Sequence, residues 1–285
     1  MRVGINGFGR IGRLVCRVLR GRPGIELVHI NDSGGDAAAA AHLLAFDSVH
    51  GRWPTPVEPL GERGLRVGDQ AVGYSRDSDP AAVPWWAATL QPYFEAAGLA
   101  RVVVACPVKG EVAGSFGIRH GAITTLHDVT NTQVVVNGFR NDLRRARSCL
   151  QSLIPTSTGS ARAIGLIFPD LQGKLNGHAV RVPLLNASLT DAVFELEQHA
   201  TTAEAVNRAF TQAVEGDLRG ILGVETRPLV SVDCVNDPRS AVVDAPSTLV
   251  VNGTQLKVYA WYVNEWGYSC RLADLACHIA ACGEG

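Results

Sequence analysis

The turn Gly7-Phe8-Gly9-Arg10-Ile11-Gly12, set between the apolar stretch Val3–Ile5 and an amphipathic segment, constrains this chain more than any other feature. A second apolar run, Ile25–Ile30, follows, and Asp32 stands just beyond it. Strand, glycine turn, helix, strand and acid in that order make a dinucleotide site. Gly7 permits the tight turn, Gly9 lets a pyrophosphate approach the backbone, and Gly12 lets helix and strand pack closely. The helix start then offers unpaired N–H groups and the positive end of its dipole to the phosphates. Ile11, Leu14, Val15, Val18 and Leu19 fall at the spacing of a buried helical stripe, which Gly21 and Pro23 end. Asp32 is expected to bond the ribose hydroxyls and to repel a 2′-phosphate, which favours NAD over NADP. Gly7, Gly9, Arg10, Ile11, Gly12 and Asp32 are therefore the candidate cofactor contacts.

The remaining composition narrows the class. With 46% hydrophobic and 19% charged residues in 285, the chain reads as globular and long enough for two cores, neither disordered nor fibrous. A net charge of −1 gives no broad footprint for nucleic acid or an anionic membrane. The one basic cluster, Arg140, Arg144, Arg145 and Arg147, is local, and a solvated face or a subunit contact explains it best. No apolar run reaches bilayer length and no signal-peptide region precedes the first strand, so a cytoplasmic location is expected. Seven scattered cysteines without paired spacing read as reduced thiols, and no metal site is expected.

Along the chain, an alanine-rich helix over Asp36–Ala45 precedes short alternating strands in residues 55–90 and an apolar strand at Arg101–Ala105. From Ala122 the alternation suggests an antiparallel sheet with one covered face: Ala179–Leu185, Ala192–Leu196, Leu229–Cys234, Thr248–Val251 and Leu256–Tyr262. Asn252-Gly253 reads as a type I′ hairpin turn. The capping box Thr201-x-x-Glu204 opens a helix with Val206, Ala209, Phe210, Ala213 and Val214 on one face, and a second helix over about Ser269–Ala281 closes the chain. An α/β unit followed by an α+β unit is the expected architecture.

The segments Asn6-Gly-Phe-Gly-Arg-Ile-Gly-Arg13, His29-Ile-Asn-Asp32, Phe46-Asp-Ser-Val-His-Gly51, Thr124-Thr-Leu-His127, Pro155-Thr-Ser-Thr-Gly159, Gly173-Lys-Leu-Asn-Gly177, Arg181-Val-Pro183 and Trp261-Tyr-Val-Asn-Glu-Trp-Gly-Tyr268 are specific and ordered. In that order they closely resemble the glyceraldehyde-3-phosphate dehydrogenase family over nearly the whole chain. The resemblance implies an incomplete Rossmann-type NAD-binding domain over residues 1–118, a catalytic domain over 119–267, and a C-terminal helix, 268–285, packing back on the first. It implies covalent aldehyde oxidation, in which a cysteine thiolate attacks the carbonyl, hydride passes to NAD and inorganic phosphate releases the thioester. His127 matches the acid/base histidine. Thr130 and Thr132 match the substrate-phosphate positions, Thr158 and Gly159 the attacking-phosphate positions, and Arg181 the arginine serving both. Asn264 matches the nicotinamide contact, and residues 133–152 match a loop reaching a neighbouring subunit, which implies a homotetramer.

One departure dominates. The family's signature Ser/Ala-Cys-Thr-Thr-Asn-Cys is absent, and Pro107–Phe116 is too short for the helix and strands expected between the Arg101–Ala105 strand and His127. A smaller loss lies near Trp85–Gln91. Without the thiolate, covalent catalysis has no first step. Cys106 and Cys149 are not at expected helix starts and read as small buried residues. The leading expectation is thus oxidation of glyceraldehyde 3-phosphate by descent, with phosphate or arsenate as oxyanion, impaired in this chain. His29–Arg52 and Asp128-Val-Thr-Asn131 suggest the arsenic-resistance-associated branch. A non-catalytic NAD-binding or assembly subunit, or a deletion variant with no function of its own, is the alternative, and Asp142-Leu-Arg-Arg145 with Glu265-Trp266 also fits erythrose-4-phosphate dehydrogenase, against which Thr158-Gly159 argues.

Overall fold

Arg2–Asn6 forms the first strand, β1, of a computed structural model that describes residues 1–78, 107–157, 164 and 168–282. The chain separates into two units, residues 1–102 with 268–285 and residues 103–267.

In the first unit, β1 enters helix α1 (Arg10–Leu19), strand β2 (Glu26–Asn31) and helix α2 (Ala37–Ala45). Short strands β3 (Val57–Pro59), β4 (Gly64–Val67) and β5 (Gln70–Ser75) follow. The sheet runs β1-β2-β5-β4-β3, with β1–β2 and β2–β5 parallel and the others antiparallel. The strand–turn–helix reading thus matches the fold within a residue or two, and Asp36 caps α2 by accepting from the Ala39 N–H at 2.8 Å. The core gathers Leu27, Ile30, Leu44, Leu65, Val67 and Val72. One buried residue of α1 is not apolar. Arg17 donates through Nε (3.0 Å) and Nη2 (2.7 Å) to the Leu44 carbonyl and through Nη1 to Gly51 O at 3.2 Å. Its guanidinium lies 5.9 Å from the Trp53 ring centre, so the stem packs as a hydrophobe while the head satisfies the carbonyl end of α2.

The second unit contains helix α3 (Pro107–Phe116), then strands β6 (Ile118–His127), β7 (Ile154–Ser157), β8 (Leu175–Arg181) and β9 (Ser188–Leu196). Helix α4 (Ala203–Glu215) precedes strands β10 (Leu222–Glu225), β11 (Ala241–Asp244), β12 (Leu249–Val251) and β13 (Gln255–Tyr262). The sheet order is β10-β11-β13-β9-β6-β8-β7, with β12 added to β13. Antiparallel pairs predominate, but β6–β8 and β10–β11 run parallel, which alternation along single strands does not reveal. Phe194, Phe210, Leu196, Leu222 and Leu256 are fully buried between the sheet and its helices. Helix α5 (Trp266–Cys282) ends the chain; within the first unit its Asp274 pairs with Arg22 at 2.9 Å.

Several expectations need correction. Pro107–Phe116, read as too short for a helix and strands together, holds a helix alone, α3, whose Val112 and Phe116, one turn apart, bury themselves with Val206 and Phe210 of α4 in the second unit's core. Leu229–Cys234 is not a strand, since Ser231–Cys234 is a 3-10 turn capped by Asp233. Thr202, not Thr201, caps α4 by accepting from the Ala205 N–H at 3.2 Å, while Thr201 is buried. Strand β8 stops at Arg181, four residues before the expected end at Leu185. Asn252 (φ 52°) and Gly253 (φ 71°) both take left-handed backbone, as a type I′ turn requires. The Arg101–Ala105 strand, Cys106 and the Trp85–Gln91 stretch lie outside the described residues. No helix among those described is long and apolar enough to cross a membrane.

Candidate functional sites

Each unit carries one of the sites expected from the sequence. In the first, Gly7 has φ +90°, a value that strongly favours glycine, and its N–H bonds the Asn31 carbonyl at 2.8 Å, tying the turn to the end of β2. A Cβ on Gly12 would stand 2.0 Å from Gly7 O and 3.2 Å from Ile5 Cγ2, so only glycine permits α1 to approach β1 this closely. Gly9 is different. It is the N-cap of α1 with φ −68° and ψ −159°, extended backbone open to any residue, and a Cβ there would meet nothing within 4 Å. The folded protein does not need glycine at this position; a pyrophosphate lying against the backbone does. Asp32 accepts from the backbone N–H groups of Phe8 and of Gly34 (2.7 Å), which holds its carboxylate beside the turn. The residues present thus fit a dinucleotide. Arg10 pairs with Asp47, so its head faces that carboxylate. Burial alone would raise the Asp47 pKa, but the N–H groups of His50 and Val49 together with Arg10 hold it below the usual carboxylate range. Ile11 is half-buried in the first turn of α1.

In the second unit, the parallel register sets His127 directly opposite Arg181 at the ends of β6 and β8. The imidazole Nδ1 is crowded: Asp128 O lies at 2.8 Å, Asp128 Oδ1 at 2.9 Å, Arg181 Nη1 at 2.6 Å and Asn264 Nδ2 at 3.4 Å. Nε2 has no partner among the described residues. Asn264 also donates to the Asp128 carboxylate and to Ser188 Oγ at 3.2 Å, and Ser188 Oγ accepts from the Asp128 N–H at 3.1 Å. Tyr262, whose ring meets that of His127 edge-on at 6.3 Å, hydrogen bonds Ser188, and burial pushes its phenol pKa up. His127, Arg181 and Asn264, read from distant segments, are therefore brought together. Asp128, Ser188 and Tyr262 complete the cluster and were not foreseen, although an acid directly after a histidine at a strand end is a signal available in the sequence.

Arg181 carries a further clue. Burial, and then the charge of Arg145, hold its guanidinium below the usual arginine range, and its Nε is buried without a hydrogen-bond partner among the described residues. A half-buried cation beside a second cation is stabilised by a bound anion. Thr130 and Thr132 are exposed, with hydroxyls 3.0 Å apart; Thr130 anchors on Gln133 Oε1 through its N–H (2.7 Å) and hydroxyl (2.8 Å). Their bonds run to the loop and not to Arg181. Thr158 and Gly159 lie outside the described residues.

Comparison with known proteins accounts for both halves. Residues 1–102 match the model of the glyceraldehyde 3-phosphate dehydrogenase NAD binding domain, and residues 103–264 that of its C-terminal domain. The chain is 48% identical over 334 aligned positions to glyceraldehyde-3-phosphate dehydrogenase 3 of Nostoc sp., covering 98% of both chains. It is 39% identical to glyceraldehyde-3-phosphate dehydrogenase 1 of Bacillus subtilis, covering 99% of both, and 39% identical to glyceraldehyde-3-phosphate dehydrogenase 2 of Staphylococcus aureus, covering 98% of this chain and 96% of that one. The 334 positions of the Nostoc alignment exceed the 285 residues available, so at least 49 of them have no residue of this chain opposite. The glycine turn with its acid, the imidazole–guanidinium cluster and both domain matches agree: this chain belongs to the glyceraldehyde-3-phosphate dehydrogenase family, with NAD as its cofactor.

Proposed function

We propose that this chain keeps the family's means of holding NAD and a phosphorylated aldehyde, glyceraldehyde 3-phosphate, but has lost the covalent route to oxidising it. The observation that carries the reading is the environment of His127, whose bonding partners among the described residues are Asp128, Arg181 and Asn264, with no thiol among them. The absent Cys-Thr-Thr-Asn-Cys segment and the gapped alignment point the same way. Arg181, whose Nε has no partner among the described residues, receives the substrate's phosphate or the oxyanion that releases the thioester, phosphate or arsenate, and Thr130, Thr132, Thr158 and Gly159 complete those anion sites. Asp32 and the glycine turn hold the adenosine end of NAD, and Asn264 faces the nicotinamide carboxamide.

The purified protein is expected to bind NAD in a calorimetric titration, weakly after Asp32→Ala, yet to form no NADH from glyceraldehyde 3-phosphate with either phosphate or arsenate. NADH production that a thiol-alkylating agent abolishes would overturn the reading. Two cysteines cannot confuse that control at neutral pH: burial pushes the Cys16 thiol up to about 12, and burial followed by Asp237 and Asp233 pushes Cys234 up to about 11.

The loop over residues 133–152 supports a homotetramer. Val135, Val136, Phe139, Leu143 and Leu150 are all exposed there, Phe139 completely, an apolar surface that a subunit would cover. Sedimentation should give the mass of four chains, and a monomer at micromolar concentration would exclude the assembly.

A further inference from the structure

Asp128 carries a role that the reading above leaves unassigned. Its side chain is 3% exposed, and one carboxylate oxygen lies 2.9 Å from His127 Nδ1 while also accepting from Asn264. The same Nδ1 faces two opposed demands. Asp128 O at 2.8 Å and Asp128 Oδ1 are acceptors and require a proton on Nδ1. Arg181 Nη1 at 2.6 Å and Asn264 Nδ2 at 3.4 Å are donors and require a lone pair there. One nitrogen cannot offer both. If Nδ1 were bare, two oxygen lone-pair sites would face its lone pair, one of them anionic and buried. If Nδ1 is protonated, the conflict reduces to the N–H groups of Arg181 and Asn264, and both have other acceptors within reach. Arg181 Nη1 reaches Asp128 O at 3.2 Å, and Asn264 reaches the Asp128 carboxylate and Ser188.

We infer that Asp128 is a positioning residue: its carboxylate, held by Asn264, and its carbonyl fix the proton of neutral His127 on Nδ1. Nε2, which has no partner among the described residues, is thereby left bare as the base. Its carboxylate also places a negative charge beside Arg181, which otherwise would draw the imidazole lone pair to itself. With Asp128 neutralised, the guanidinium becomes the strongest partner of Nδ1, and the proton moves to Nε2. The imidazole then meets substrate as a donor and cannot take a proton. This inference rests on His127 as the proton-handling residue, but its test does not use turnover, so the two fail separately.

The test is long-range 1H–15N NMR of the imidazole nitrogens of the full chain at about pH 8.5, where an ordinary histidine is neutral, with His127→Gln identifying the resonances. Wild type should show a pyrrole-type Nδ1 and a pyridine-type Nε2. Asp128→Asn, which keeps the volume and the backbone carbonyl, should convert half or more of the population to the reverse pattern, and Asp128→Glu should restore it. Arg181→Met should leave the wild-type pattern in place, because it removes only the competing donor. A pyridine-type Nδ1 in wild type overturns the inference, and so does an Asp128→Asn pattern that matches wild type in a folded protein. Should Asp128→Asn not fold, the wild-type and Arg181→Met spectra still decide, since both must show the proton on Nδ1.

Discussion

Gly177→Ala is expected to destabilise the second unit by about 3 kcal/mol, lowering its melting temperature on the order of 10 °C. Gly177 sits in β8 opposite Ile123 of β6, and a Cβ there would stand 2.2 Å from the Ile123 carbonyl oxygen and 3.1 Å from its carbon. Both are backbone atoms of a central strand, so no rotamer relieves the contact, and β6 and β8 must separate. The damage reaches the site because the same register, four pairs further along, sets His127 against Arg181. Weaker binding of sulfate or phosphate should therefore accompany the lost stability. Thermal unfolding checks the first effect and anion titration the second; a melt within about 2 °C of wild type would show that the strands accommodate a methyl group.

That register also separates what the sequence made legible from what it did not. Local patterns reported local structure well: the strand–glycine–helix order, the Asp36 cap and the left-handed Asn252-Gly253 pair depend on neighbours a few residues away. Elements decided by distant partners were harder. Helix α3 contains Gly110 and Gly114 and has little amphipathic pattern, yet it forms because Val112 and Phe116 fill space beside Phe210. Leu229–Cys234 has apolar residues enough for a strand but pairs with no strand among the described residues; Asp233 captures the Val230 N–H and closes a turn instead. Arg17 sits within the apolar stripe of α1 because two carbonyls on other segments receive it, and no periodicity encodes that. At the second site, His127, Arg181 and Asn264 were readable as members of distant motifs. The part played by Asp128 was not, because the sequence shows only that an acid follows the histidine, and its effect appears once its distance to the imidazole is known.

Gly9→Ser and Gly12→Ala are expected to separate binding from folding, and the contrast tests the dinucleotide site at its center. Gly12 is required by the fold: its Cβ would overlap Gly7 O, a backbone atom of the turn, so Gly12→Ala should cost about 3 kcal/mol and abolish NAD binding with the displaced turn. Gly9 is not required by the fold, since its backbone is extended and its surroundings are open. Serine at this N-cap can accept from an unpaired N–H of α1, so Gly9→Ser should leave stability unchanged or raise it by a few tenths of a kcal/mol. Its side chain nevertheless occupies the space a pyrophosphate needs against the backbone, and NAD affinity should fall roughly thirtyfold, about 2 kcal/mol. Thermal melts and NAD titrations of both variants read the two quantities independently. A mutation that stabilises the helix while weakening the ligand identifies the glycine as a concession to NAD, whereas undiminished NAD affinity in Gly9→Ser would mean that the phosphates do not lie against this turn.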